Sequence, residues 1–310
     1  MKVNSDAVWL WVFYSITILL IVIAVLYGQD GPSQVNTNLG VTFGLQIKLL
    51  PVRSISLEAD HPEFEARSIL MQGLLQDRAP LPTTVDLYTR RGASAILVDN
   101  QGPYGSCTAH AMSYAFQLYR LRLGQALIRP SRLFWYAKSR QALGFTLSTD
   151  EGSTNGATVT ALRNSGWIQE TQWPYIHANV FRAPLTPVQN AAFANRINSA
   201  KQLRYINNIN VNARTICTEL AAGNTVIAGV MVYSSFMSTT ALRTGNVPTP
   251  NPSRERLLGG HAIAITGYNS RTNLFSFRNS WGGGVGRNGM FTIPYAYLCN
   301  PRLVGDLWSL

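Results

Sequence analysis

Apolar residues recur every three or four positions through the middle of this chain and alternate with polar ones towards its end. The helical spacing predicts helices over 106–124, 131–142, 156–165 and 212–222, with Ser106 as the N-cap of the first and Asn212 starting the fourth. The alternating runs, divided by Gly and Asn, predict strands over 225–232, 261–269, 274–281 and 289–297. Helices grouped before strands are typical of an α+β protein with a helical lobe and a β-rich lobe.

A long uncharged run lies at the N-terminus. No charged residue occurs between Asp6 and Asp30, and residues 7–28 are long enough to cross a bilayer as a helix. The alternative is a cleavable signal peptide, but no small-residue cleavage site follows the run cleanly. We therefore predict a retained single-pass transmembrane anchor with its N-terminus in the cytoplasm and the bulk of the chain on the far, extracytoplasmic or luminal, side.

Three segments follow from these patterns. Residues 1–28 form the anchor, 29–80 a polar linker that could serve as a short propeptide, and 81–310 the main globular domain. Residues 1–80 carry 5 Lys and Arg against 7 Asp and Glu, a net −2, whereas residues 81–310 carry 21 against 8, a net +13. The basic residues are dispersed and no nucleic-acid-binding motif occurs, so we expect acidic surfaces rather than nucleic acid as partners.

The cysteine count excludes a disulfide framework. The chain has three cysteines, Cys107, Cys217 and Cys299, which allow at most one bridge. The sequence does not decide whether Cys217 and Cys299 form that bridge. No Cys and His residues have zinc-site spacing, and the glycines at 282–286 precede no helix that could bind phosphate. We expect neither a metal nor a cofactor.

The two strands at 261–269 and 274–281 read as a hairpin. If its turn centres near residue 271, paired residues should sum to about 542, which puts His261 within a residue or two of Asn279. An Asn amide beside a His can fix its ring in one tautomer, as a catalytic base requires. A partly buried structural His is the alternative reading of this pair alone.

Cys107 stands where glycines give way to the first predicted helix, in "DNQGPYGSCTAHAMSYAF" (residues 99–116). Backbone N–H groups at a helix N-terminus lower a thiol pKa, and a nearby imidazolium lowers it further. Gly105 would let backbone approach a substrate closely, and the Gln101 amide could face a developing oxyanion. His110, one turn along the helix, competes as base but would lie beyond the thiol.

Three ordered motifs resemble those of papain-like cysteine peptidases. "QGPYGSCTA" resembles their nucleophile segment, "GGHAIAITGYN" their His segment, and "FRNSWGGGVGRNGMFTI" their Asn segment. "LPTTVDLY" is similar to the start of a mature enzyme. The resemblance covers roughly residues 81–310 and implies the two-lobed papain-like fold, with a β-rich or barrel-like second lobe.

The resemblance implies a role for each matching residue. Cys107 would be the nucleophile, His261 the general base and acid, Asn279 the residue that orients His261, and Gln101 the oxyanion donor. Trp281 would cover the His–Asn hydrogen bond. Gly105, Asn155, Gly156 and Trp281 are the predicted substrate-binding residues, with Asn155 and Gly156 standing where the family has a glycine pair.

The chain also departs from papain itself. Tyr104 and Asp150 stand where papain has disulfide cysteines, so the pattern is closer to the disulfide-poor branch seen in bacteria, archaea and large DNA viruses. That branch adds a virion membrane to the candidate locations of the anchor. Residues 29–80 lack the long helical pattern of cathepsin propeptides. Their acidic residues nevertheless suggest that 48–80 docks on the basic domain by charge.

We therefore predict a membrane-anchored cysteine peptidase that hydrolyses protein or peptide substrates through a Cys107 acyl-enzyme. Two alternatives are carried forward. One is a catalytically silent papain-like module that binds partners or has a structural role at the membrane, and the other is an acyl transferase that uses the same triad.

Overall fold

The computed structural model describes residues 47–51 and 80–310. The predicted anchor at 7–28 and most of the 29–80 linker lie outside these residues. Within the described ranges, no helix is both long and apolar enough to span a bilayer.

The helical half of the domain is built on a largely buried central helix. Its helices are α1 (Cys107–Arg122), α2 (Arg132–Ala142) and α3 (Asn155–Ser165). Residues 107–118 of α1 are all buried, so the helix that starts at Cys107 runs through the core. Ser131 caps α2 by accepting the Phe134 N–H. Together these helices confirm the predicted helical part within one or two residues at each end.

The structure differs from the prediction in one N-cap bond and in one helix start. Ser106 occupies the N-cap position of α1, but its hydroxyl lies 2.6 Å from the Tyr175 hydroxyl and makes no capping bond. A later helix, α6 (Ile209–Ala221), begins before Asn212, because Asn208 accepts the first N–H groups. The side chain of Asn212 instead binds the backbone of Ile206.

The remaining helical segments are short connections between these elements and the sheet. They are α4 (His177–Val180), α5 (Thr186–Phe193), α7 (Thr239–Thr244), α8 (Tyr295–Leu298) and two 3-10 turns (Leu87–Thr89 and Ala93–Ala95).

The other half is an antiparallel sheet. Its strands are β1 (Thr84–Asp86), β2 (Lys201–Leu203), β3 (Val226–Tyr233), β4 (Leu257–Asn269), β5 (Leu274–Arg278), β6 (Met290–Pro294) and β7 (Val304–Ser309). In the described chain they lie in the order β2-β7-β3-β4-β5-β6, and β1 adds to β4. The two end strands of this order, β2 and β6, do not pair with each other. The lobe expected to be β-rich or barrel-like is therefore an open sheet and not a closed barrel. The α+β class is confirmed.

The β4–β5 hairpin has the register that its alternation predicts. Asn269 pairs with Leu274 and Ala264 pairs with Arg278, so the paired numbers sum to 543 at the turn and 542 beyond a bulge at 265–267. The ladder ends at Arg278. The next residue, Asn279, therefore lies beside the first half of β4, which contains His261.

Backbone hydrogen bonds join the segment before α1 to the segment after β5. The Gln101 N–H donates to the Ser280 carbonyl at 2.8 Å, and the Gly282 N–H donates to the Asp99 carbonyl at 2.9 Å. This pairing of 99–101 with 280–282 connects the helical half to the sheet immediately beside Cys107 and Asn279.

Candidate active site

The side chains of His261 and Asn279 meet where β4 and the end of β5 converge. His261 Nε2 lies 2.8 Å from Asn279 Oδ1, and both residues are fully buried. The Ser280 N–H donates to the same oxygen at 2.8 Å, which identifies that Asn279 atom as the acceptor. His261 Nε2 must therefore carry the proton, and Nδ1 is the basic nitrogen. Among the described residues Nδ1 has no hydrogen-bond partner.

Trp281 packs on the His261 ring. The two ring centroids are 4.7 Å apart with planes inclined by 29°, and Trp281 is only 1% exposed. Such stacking keeps water from the His261–Asn279 hydrogen bond and restrains ring rotation. Its burial leaves the indole little area with which to touch a substrate directly.

Cys107 is the first residue of α1 and is fully buried. Its thiol is approached by the N–H groups of Thr108 and of Ala262, the residue after His261, and each lowers the thiol pKa. The start of α1 and β4 therefore meet at this thiol.

Gln101 is held in one orientation by hydrogen bonds at both atoms of its side-chain amide. Its Oε1 accepts a hydrogen bond of 2.7 Å from the Ser280 hydroxyl, so its NH₂ group is free to donate elsewhere. Nε2 donates to the carbonyls of Tyr104, at 2.9 Å, and Lys48, at 3.1 Å. A side-chain amide held in this way is suited to bind a developing oxyanion.

Residues 47–51 lie across these groups. Leu50 and Gly260 exchange two backbone hydrogen bonds of 2.7 Å, one residue before His261. Leu49 and Leu50 are at most 1% exposed. Residues 47–51 lie in a groove that we call the glycine-lined cleft, because Gly152, Gly259 and Gly260 contact the segment there.

Small residues are required along this cleft. A Cβ on Gly152 would lie 2.6 Å from the Leu50 side chain, and one on Gly259 would lie 2.7 Å from the Leu50 carbonyl oxygen. Gly105 faces Gly152 with equally little space, since a Cβ there would lie 2.9 Å from the Gly152 Cα. Gly105 therefore packs directly behind Gly152, and its role in substrate binding stays a prediction.

The structure does not bring Asn155 and Gly156 to the cleft. Both lie in the first turn of α3, where the Asn155 amide and the Gly156 N–H bind the Asp306 carboxylate of β7 at 3.1 and 2.9 Å. Thr154 caps that helix. Gly152, three residues earlier, borders the cleft instead.

Burial shifts the pKa values of the two reactive groups in opposite directions. Loss of water raises the pKa of the Cys107 thiol from 9.0 to about 12, against the opposing effect of the nearby N–H groups. The same loss lowers the pKa of His261 from 6.5 to about 4, although the bond to Asn279 raises it. With residues 47–51 in place, both groups are therefore neutral near pH 7.

His110, three residues after Cys107 on α1, is bound to Ser106 and Arg132. Its Nδ1 is 3.0 Å from the Ser106 carbonyl, and its Nε2 is 3.4 Å from Arg132 Nη1. Burial, followed by the Arg132 charge, lowers its pKa well below 6.5. Neither nitrogen is free to accept a proton from Cys107.

Three residues of the site escaped sequence reasoning: Ser280, Gly152 and Asp150. Ser280 lies inside the "NSWG" run, so its position was visible although its bond to Gln101 was not. Gly152 and Asp150 lie in a loop without periodicity, and only the fold shows which of its residues face the cleft.

The other two cysteines and the acidic residues form no second centre in the described ranges. All three cysteines are free thiols, with Cys217 Sγ 3.3 Å from the Tyr295 hydroxyl. Across 47–51 and 80–310, no three His, Cys, Asp or Glu side chains converge as metal ligands.

Comparisons of the sequence and of the structure with known proteins both find cysteine proteases of the papain type. A family model described as papain family cysteine protease matches residues 81–300. A curated relative, an uncharacterized peptidase C1-like protein of Acanthamoeba polyphaga mimivirus, is 30% identical over 215 residues, which cover 68% of each protein.

Solved structures show the same relationship. Xylellain, a cysteine protease from Xylella fastidiosa, is 30% identical with a TM-score of 0.65, covering 74% of this chain and 86% of its own. A Carica candamarcensis cysteine protease shares the fold at 21% identity, with a TM-score of 0.54 over 74% of this chain and 97% of its own.

Proposed function

This chain belongs to the papain family of cysteine proteases, and from that premise we propose that it hydrolyses peptide bonds with Cys107 as nucleophile and His261 as general base and acid. The observation that carries the assignment is the His261 ring. Its Nε2 is bound to Asn279 at 2.8 Å, while its Nδ1 has no partner among the described residues. A ring held in this way has one nitrogen available for proton transfer.

The first half of the proposed reaction forms the acyl-enzyme. His261 Nδ1 takes the Cys107 thiol proton, and Sγ attacks the substrate carbonyl carbon. The Gln101 amide and the Cys107 N–H stabilise the negative oxygen of the tetrahedral intermediate. As the peptide bond breaks, His261 returns the proton to the leaving amine, which leaves a thioester on Cys107.

The second half releases the acyl group. With the amine gone, water enters and gives a proton to His261 Nδ1 as its oxygen attacks the thioester carbonyl. The C–S bond then breaks, and the proton on His261 returns to the Cys107 sulfur. Asn279 and Trp281 hold the imidazole in one orientation through both halves.

We also propose that residues 47–51 obstruct the resting site. Two features support this role: the paired hydrogen bonds between Leu50 and Gly260, and the bond from Gln101 to the Lys48 carbonyl. A substrate cannot reach Gln101 while Lys48 occupies it. The segment also keeps water from Cys107, and so keeps the thiol protonated.

Removing the segment should accelerate alkylation of Cys107 by iodoacetamide. At pH 7 we expect a form that begins at Leu81 to react at least tenfold faster than one that begins at Gln29, because hydration lowers the thiol pKa from about 12. Both forms carry Cys217→Ala and Cys299→Ala, so that intact mass reports one thiol. In the longer form the rate should rise about tenfold per pH unit from 7 to 9. Equal rates in the two forms at every salt concentration would contradict the obstruction.

Membrane anchoring through residues 7–28 is part of the same proposal. The absence of charge between Asp6 and Asp30 supports it. On expression in cells, the full chain should sediment with membranes and require detergent for release, whereas a form beginning at Gln29 should not. Carbonate-washed membranes free of the full chain would reject the anchor.

A further inference from the structure

We propose that Asp150 selects a basic side chain, with lysine fitting best, on the acyl residue of the substrate. The acyl residue is defined as the one whose carbonyl carbon Cys107 attacks. This inference rests on the proposed function of Cys107. It adds a substrate class, peptides with a basic residue before the cleaved bond.

The docked segment supplies the register. The carbonyl oxygen of Lys48 accepts a hydrogen bond of 3.1 Å from Gln101 Nε2, the atom assigned to bind the scissile oxygen. Two residues further on, Leu50 is anchored to Gly260, beside His261. Of the described residues of this segment, Lys48 therefore occupies the position of the acyl residue.

The side chain of Lys48 identifies the pocket. Its Nζ lies 2.9 Å from Asp150 Oδ2 and also donates to the Asp150 backbone carbonyl. The Lys48 and Asp150 side chains are 11% and 9% exposed, so the ion pair lies inside the cleft rather than on the surface. Two acceptors side by side suit an ammonium group, which carries three donors.

Asp150 is fixed in place independently of Lys48. The Gly105 N–H, two residues before Cys107, donates to its Oδ2 at 3.1 Å, and the Tyr136 hydroxyl donates to Oδ1. The nearby Arg140 guanidinium donates to the carbonyls of Thr149 and Val180 instead. The carboxylate would therefore keep its position when the segment leaves.

An empty pocket would hold a carboxylate without a counter-ion. Within the described parts of the chain, Lys48 is the one cation within salt-bridge distance of Asp150. A substrate with an apolar side chain here would bury that carboxylate without a counter-charge, although Gly105 and Tyr136 still donate to it, and an acidic side chain would add repulsion. A lysine would restore the pair that the segment makes.

The test measures a preference in the full chain. Acetylated Ile-X peptides carry lysine, norleucine or glutamate at X before a fluorogenic amide, and norleucine keeps the apolar stem of lysine without its charge. The docked segment competes equally with all of them, so the ratio of their kcat/KM values does not depend on how often it is docked. We expect lysine to exceed norleucine by about 100-fold.

Two variants with the same charge change locate the cause. Asp150→Asn should reduce the lysine-to-norleucine ratio to below about 5, since the amide can replace the bonds to Gly105 and Tyr136 but not the charge. Asp86→Asn removes an equal charge from β1, where the side chain accepts the Tyr88 N–H. That variant should keep the ratio near 100. A ratio near 1 in the wild type, or one that survives Asp150→Asn, would overturn the inference.

Peptidyl acyloxymethyl ketones with lysine or norleucine at the same position separate this inference from the proposed function. If neither reagent labels Cys107 by intact mass, the function of Cys107 falls. If both label at the same rate, only the selection by Asp150 falls.

Lys48→Met provides a second variant that leaves the pocket intact, should Asp150→Asn fail to fold. Removing the segment's cation should speed labelling by the lysine reagent about tenfold. An unchanged rate would count against the pocket.

Discussion

Replacing Cys107 by alanine should lower kcat/KM for a peptide substrate by on the order of 10⁴-fold or more, because the acyl-enzyme cannot form without the thiol. The fold should survive. The substitution removes one buried sulfur atom from the start of α1, a loss of about 1 kcal/mol in the free energy of unfolding. Peptide hydrolysis and thermal unfolding measure these two effects, and the variant should no longer be labelled by an epoxide inhibitor of thiol peptidases.

Cys217→Ala is the matched control for this substitution. Cys217 is also a buried free thiol on a helix, but it contacts Tyr295 and lies outside the cleft. The control should keep both activity and labelling. A wild-type protein that is never labelled would favour a silent binding module, and transfer of the acyl group to an added amine without hydrolysis would favour an acyl transferase.

Replacing His261 by alanine should lower kcat by about 10³- to 10⁴-fold, because within 47–51 and 80–310 no other side chain is placed to accept the thiol proton. Added imidazole should restore part of the loss by occupying the vacated space.

In the wild type, activity should fall at acidic pH, since a base is lost when it is protonated, and burial lowers the pKa of His261 to about 4 while the cleft is covered.

His110→Ala tests the competing assignment. It removes a buried ring that binds the Ser106 carbonyl, so we expect a lower melting temperature. The folded variant should nevertheless keep kcat within about tenfold of the wild type, because His110 has no nitrogen free for Cys107. An active His261→Ala together with a folded, inactive His110→Ala would reverse the two roles.

Local pattern was sufficient for the hairpin and for the helix that carries the nucleophile. Alternation sets which face of a strand a side chain occupies, and the short turn sets the register, so the proximity of His261 and Asn279 follows from a few neighbouring residues. The helices α1, α2 and α3 were predicted correctly for the same reason, because apolar spacing within each segment determines which face is buried. The three ordered motifs supplied the order of the site residues along the chain.

Where the prediction failed, distant contacts decided the structure. "STNGAT" contains a cap, an Asn and a Gly, and the cap at Thr154 turns Asn155 and Gly156 into a helix start that binds Asp306. Nothing nearby in sequence shows that Asp306 is there. Asn212 lies within the first turn of α6, where its side chain binds the distant Cys299 carbonyl as well as Ile206, and Asn208 takes the capping position instead.

Docking of residues 47–51 was anticipated only in outline. The net charges predict that acidic residues of the linker bind basic residues of the domain, yet the charges in the observed ion pair are the other way round. A lysine of the linker meets an aspartate of the domain, and leucines carry most of the burial. Net charge does not reveal which individual residue enters a cleft that only the folded domain forms.

The backbone pairing of 99–101 with 280–282 divides the site into parts that can evolve at different speeds. Gln101 belongs to this pairing and Asn279 adjoins it, so an insertion or deletion there would displace both residues. The loop with Asp150 is held by side chains instead, through Tyr136 and Arg140. Lineages descended from such an enzyme could exchange that loop and acquire new target sequences while inheriting the chemistry intact.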